Sequence, residues 1–85
     1  MTNKITPEIL EEVIVSEEYF QPQGTSLTIC VLTLENGFNV TGESASASLD
    51  NFDAELGKKL ARIKAKEKIW PLEGYLLRQK LHEEE

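Results

Sequence analysis

Between two β-rich runs, Thr25–Leu34 and Phe38–Ser44, the chain carries the dipeptide Asn36-Gly37. A tight hairpin turn needs left-handed backbone at its tip, which asparagine tolerates and glycine adopts without strain, so this pair flanked by β-branched residues predicts a β-hairpin. Read as a two-residue type I′ turn, it pairs Glu35 with Phe38, Thr33 with Val40 and Val31 with Gly42. Successive side chains alternate across a strand, so that register places Leu27, Ile29, Val31, Phe38 and Val40 on the core face. The other face carries Cys30, Leu32 and Leu34 beside Asn39 and Thr41. An isolated hairpin is marginal in water, so a third strand, a helix or a second subunit is expected to cover it.

Helix signals stand on both sides. Thr6 caps, Pro7 takes the first helical position, and Ile5 and Leu10 are spaced as a hydrophobic staple. Ile9, Leu10, Val13 and Ile14 then form the stripe of a short amphipathic helix, Ser16–Phe20 leads out of it, and Gln21-Pro22-Gln23-Gly24 reads as a turn. After the hairpin, Asp50 or Asn51 caps a helix over 51–69 whose large apolar residues, Phe52, Leu56, Leu60, Ile63 and Trp70, make one continuous stripe directed at the core. Nearly opposite lies a line of small residues, Ala54, Gly57, Ala61 and Ala65, at the spacing that lets another backbone come close. Pro71 disfavours helical geometry at Trp70, so a kink or break is expected at Trp70-Pro71, with Trp70 in the core at the elbow. The predicted fold is α+β: an N-terminal helix, a β-hairpin, then a long C-terminal helix kinked or broken at Trp70-Pro71. It is one domain over residues 1–85, ordered from about 5 to 81, with a frayed tail at 82–85.

Eighty-five residues with 40% apolar content support only a small core, and chains of this size commonly add disulfides, a metal or a partner subunit. The single cysteine, Cys30, forms no internal disulfide, and no Cys/His cluster suggests a metal. No apolar run approaches the ~20 residues that span a bilayer, and the first residues lack a signal-peptide pattern, so a cytoplasmic protein without membrane association is expected. A homodimer is the remaining way to enlarge the core. Its candidate surface joins Cys30, Leu32 and Leu34 of the hairpin to Gly57, Ala61 and Ala65 of the helix.

The net charge is −6, but residues 1–55 hold one basic and ten acidic side chains while residues 56–85 hold eight basic and five acidic. Six cations fall between Lys58 and Lys68. Lys58, Arg62 and Lys66 on one flank suit an anionic ligand such as a nucleotide, or equally an internal partner in the acidic half. Glu43 at a strand end, and Glu73 and Tyr75 beyond the elbow, complete the candidate binding residues, the last two as a buried polar contact. Overall acidity and the lack of interleaved aromatics disfavour nucleic acid. Gly42-Glu43-Ser44-Ala45-Ser46 imitates a nucleophile elbow but lacks its closing glycine. The only histidine, His82, lies three residues from the end, so no catalytic residue is assigned and no enzyme is expected.

Asn36-Gly37-Phe38, Gly42-Glu43-Ser44-Ala45, Asn51-Phe52-Asp53 and Ile69-Trp70-Pro71-Leu72-Glu73-Gly74-Tyr75 together resemble a family of short tailed-phage proteins named after members in phages N-four and Sf-six. The resemblance runs from about Ile5 to Leu81. It implies phage or prophage origin and action in the cytoplasm of an infected bacterium, and it brings no activity or cofactor to any residue. The Ala45-Ser46-Ala47-Ser48 loop is plainer than the family's pattern. The leading expectation is a non-enzymatic accessory protein that binds a host or phage protein, in host takeover or counter-defence. An anionic-nucleotide binder and a DNA-associated regulator are the alternatives.

Overall fold

The computed structural model describes residues 4–85. Its elements run α1 (Pro7–Glu12), β1 (Ile14–Phe20), β2 (Leu27–Leu34), β3 (Asn39–Ala45), a single 3-10 turn (Leu49–Asn51), α2 (Ala54–Glu67) and α3 (Ile69–Glu83). The three strands form an antiparallel meander in the order β1-β2-β3, and α2 lies across one face of it. The α+β class and the element order expected from the sequence are therefore observed, with one strand added.

That strand is β1. The first helix is shorter than its apolar stripe: Thr6 caps it through a 3.3 Å bond accepted from the Ile9 N–H, and it ends at Val13, after which Ile14 enters the sheet. A bulge between Ile14 and Ser16 shifts the ladder, and Glu17, Tyr19 and Phe20 then pair with Leu32, Cys30 and Ile29. The third strand gives the central β2 hydrogen-bonded neighbours on both sides.

The hairpin is real but its register differs by one residue from the two-residue turn. The Leu34 carbonyl accepts from the Gly37 N–H at 2.8 Å, while the Leu34 N–H donates to the Phe38 carbonyl, also at 2.8 Å. The loop is Glu35-Asn36-Gly37, three residues with Gly37 at φ +90° in the left-handed position. The Asn36 side chain accepts from the Phe38 N–H at 3.0 Å, which favours this tighter bend. Leu32 consequently faces Val40 and Cys30 faces Gly42. A one-residue slip sends every side chain of a strand to the other face. Thr28, Cys30, Leu32 and Leu34 are thus buried, and Leu27, Ile29 and Val31 look out on the uncovered side of the sheet, with Phe38 also exposed. Of the five residues placed on the core face, Val40 alone is buried.

The helix inverts in the same way. Ser48 caps the 3-10 turn and Asp53 caps α2, its carboxylate accepting from the Leu56 N–H at 3.2 Å. The small residues Gly57, Ala61 and Ala65 are the buried ones, and they press on the sheet. A Cβ on Gly42 would collide with the backbone of Ala61 and Ala65, so α2 and β3 touch main chain to main chain. The core is Leu10, Cys30, Leu32, Leu34, Val40, Ala61, Ala65 and Ile69, with Ile5, Val13, Ile14 and Tyr19 packed around it. This corrects the surface expected for a second subunit: Cys30, Leu32, Leu34, Gly57, Ala61 and Ala65 meet one another inside a single chain.

The two C-terminal helices are arms of one long helix bent by 23°. The discontinuity falls on Lys68, upstream of the expected Trp70-Pro71, because proline disturbs the turn before it: Pro71 has no N–H for the carbonyl four residues back. Trp70 therefore stays helical and 40% exposed, while Ile69 takes the buried elbow position assigned to it. Helix α3 continues through His82 to Glu83, and Arg78 pairs with Glu85, beyond its end, at 3.0 Å. Only Ile69 of this arm is buried. It extends beyond the sheet, and the radius of gyration is 15.7 Å against about 12 Å for a compact chain of this length.

Candidate functional site

Three features carry chemistry: an ionic clamp, a buried serine and the apolar surface of the bent helix. The clamp gathers the candidate cations. Helix α2 places Arg62 and Lys66 on one flank, four residues apart, facing α1 and β1. Arg62 reaches Glu11 with two parallel bonds, Nη1 to Oε2 at 2.8 Å and Nη2 to Oε1 at 2.9 Å, and its Nε reaches Glu17 at 3.1 Å. Lys66 Nζ adds a second cation on Glu11 Oε2 at 2.8 Å. The fork of a guanidinium matches a carboxylate in two bonds, which makes this the strongest polar contact between the acidic half and the basic helix.

The titration of these groups follows from the geometry. The hydrogen bonds from Arg62 and then Lys66 lower the Glu11 carboxyl from 4.5 to about 2. Glu17 is lowered as well, first by the hydrogen bond from Tyr19 and then by Arg62. The Tyr19 hydroxyl donates to Glu17 Oε2 at 2.6 Å. Burial, then that bond, raises its pKa well above the ordinary phenol, and Lys58 Nζ stands 5.7 Å from its ring centre. Cys30 beneath it is raised by burial, which keeps it a thiol rather than a reactive thiolate. Lys58, Arg62 and Lys66 are thus brought together, with Glu11, Glu17 and Tyr19 as partners. The sequence signal for Glu17 and Tyr19 was the polar pattern of Ser16–Phe20, which disguised a strand.

Ser44 lies inside the fold. It is buried, and its hydroxyl donates to the Gly57 carbonyl at 2.6 Å, tying β3 to the first turn of α2. His82 lies on the last turn of α3. A Cβ on Gly57 would stand 2.8 Å from the buried Thr28 hydroxyl, so serine, threonine and glycine form one small-residue contact. Glu43 sits elsewhere, exposed on the outer face of the sheet opposite Ile29. Glu73 and Tyr75 are not the buried polar contact expected of them: Tyr75 is 76% exposed and Glu73 half-buried, and both border a groove between α3 and the hairpin loop.

The outward side of the bent helix is unusual. Leu56, Leu60 and Ile63, expected in the core, are 52%, 42% and 57% exposed, and Trp70 continues their line onto α3 beyond the exposed Glu67. Lys59 and Lys64 flank the line and are exposed. Large apolar side chains at helical spacing on an open face mark a contact surface when they form a contiguous patch. Among the described residues no helix is long and apolar enough to cross a membrane, and no group of three metal-binding side chains occurs.

A three-stranded meander braced on one face by a bent helix, with Glu11 and Glu17 clamped by that helix and the helix's large apolar residues turned outward, defines a small α+β domain. The chain belongs to the Phage protein (N4 Gp49/phage Sf6 gene 66) family, whose model matches residues 5–81. Comparison with curated proteins and comparison with solved structures each return no match. The family is a phage protein family, as the resemblance implied.

Proposed function

We propose that this phage protein is a non-enzymatic accessory protein that works inside the infected bacterium by binding another protein, with the outer face of α2 as its contact. One observation carries the reading. Leu56, Leu60 and Ile63 are the largest apolar side chains of α2, and the fold leaves them outside while it buries Gly57, Ala61 and Ala65 in their place. Burial of a leucine contributes about 1.5–3 kcal/mol, and a fold of thin core that leaves three such residues in water has another use for them.

The nucleotide and DNA readings fare less well on the same geometry, since a phosphate would have to displace Glu11 from both Arg62 and Lys66. A photo-crosslinking residue at position 60, introduced during infection, is expected to trap one recurrent partner. The same probe at position 41, exposed on β3 and away from both helix α2 and the hairpin loop, is the control. Equal trapping from both positions, or none from either, would remove α2 as the contact.

A further inference from the structure

A second surface, sharing no residue with the first, lies between α3 and the hairpin loop. There Leu34, Phe38, Leu72, Tyr75 and Leu76 border a groove of about 410 Å³. Phe38 is 56% exposed, Leu76 47% and Tyr75 76%. Leu72 and Leu76 stand one helical turn apart, so the apolar wall runs along α3 as a track rather than closing into a pit. The polar lining is of one sign. Glu35 from the loop and Glu73 from the helix border the groove, Asn36 and Gln79 are neutral, and no basic side chain lines it; Lys4 and Lys80 stand beyond the wall of Glu73 and Leu76, in the adjoining depression. Among the described residues neither carboxylate has an ion-pair partner, in contrast to Glu11 and Glu17.

We propose that this groove is a second docking site, and that its occupant is an amphipathic helix of a partner protein with leucine-like anchors on one side and lysine or arginine on the flanks. A linear apolar track accepts side chains at i and i+4, the helix-in-groove mode, and paired carboxylates at the border select cationic flanks and speed their encounter. The outer face of α2, bordered by Lys59 and Lys64, calls for flanks of the opposite sign. The charge of a partner therefore reports which of the two surfaces it uses, and the protein can hold two partners at once.

The experiment is a titration of the full chain, by calorimetry, with two designed helical peptides of identical leucine pattern, one with lysine flanks and one with glutamate flanks. The lysine peptide is expected to bind, to weaken about tenfold in the Glu35→Gln/Glu73→Gln double variant, and to lose most of its salt dependence there. Tyr75→Ala is expected to weaken it about tenfold as well, without touching the core, because that ring is exposed. Leu60→Glu should leave it unchanged. No binding, binding that ignores Glu35, Glu73 and Tyr75, or binding lost with Leu60→Glu would overturn the proposal. So would self-association of the free chain that Lys59→Glu/Lys64→Glu dissolves, since the occupant would then be a second copy. The α2 reading fails separately, on cross-links from position 60, which none of these variants in the groove should alter.

Discussion

The two faces of α2 make opposite use of side-chain size. The inner face meets the sheet through Gly57, Ala61 and Ala65, with Gly42 beneath, and gains its contact from close approach of backbones. The outer face holds Leu56, Leu60 and Ile63, which stay between 42% and 57% exposed. Hydrophobicity alone would orient this helix the other way round. What decides the matter is shape: a flat, glycine-bearing strand accepts a small-residue ridge at short range, and many close atom pairs together with the Ser44 bond and the Glu11–Arg62 clamp outweigh the transfer of a few large side chains.

The sharpest way to break this contrast is Gly42→Val. Its Cβ has no room against the main chain of Ala61 and Ala65, and a helix backbone cannot step aside as a side chain can. Overpacking of this kind costs about 3 kcal/mol or more, and the variant is expected to be unfolded or molten by circular dichroism and thermal melting. Next in size is Arg62→Ala, which leaves the neighbouring carboxylates of Glu11 and Glu17 without their shared cation, with only Lys66 on Glu11 to compensate. Since the clamp is partly solvent-screened, a loss of about 1–2 kcal/mol in urea unfolding is expected.

The same clamp sets an acid limb. The folded-state pKa of Glu11 is depressed from 4.5 to about 2, so its contribution is fully present above pH 4.5 and disappears as pH falls toward 2. Stability measured by melting from pH 5 down to 2 is expected to decline, and Glu11→Gln, already without that contribution, should show a shallower slope. A smaller effect belongs to Ser44→Ala, which removes the 2.6 Å bond to Gly57 and is expected to cost about 1 kcal/mol. The smallest is Leu60→Ser. It should leave stability within about 0.5 kcal/mol, because the residue is exposed, while abolishing whatever contact α2 makes. A large loss of stability from Leu60→Ser would mean that the outer face supports the fold, and the contrast between the faces would dissolve.

How far residues alone reach into this molecule depends on which force decides each element. Local chemistry was legible: Thr6 and Pro7 start α1, Asn36-Gly37 makes the hairpin, and Pro71 breaks the long helix near its place. The register was not, because Asn36-Gly37 serves a two-residue and a three-residue loop equally well, and the choice rests on a single residue of slip. That slip concealed the real core, Cys30, Leu32 and Leu34. Strand β1 was hidden because Glu17, on its helix-facing side, is charged, and only the presence of Arg62 on the facing helix makes that acceptable. The ionic partnership of Arg62 and Lys66 was visible as charge asymmetry, though not which carboxylates they meet. The small-residue line on α2 was seen, but its partner is Gly42 of the same chain, a pairing that neither segment announces by itself.

The joint at Lys68 has a mechanical consequence. Downstream of it the C-terminal arm is fifteen residues long, with Ile69 buried at its root and α1 packed beside it. At about 1.5 Å per residue, a swing of about 10° there carries the tip through about 4 Å, close to the width of one methylene chain. A change of torsion angles at that joint would widen or narrow the channel beside the hairpin, as a thumb hinge sets the span of a hand.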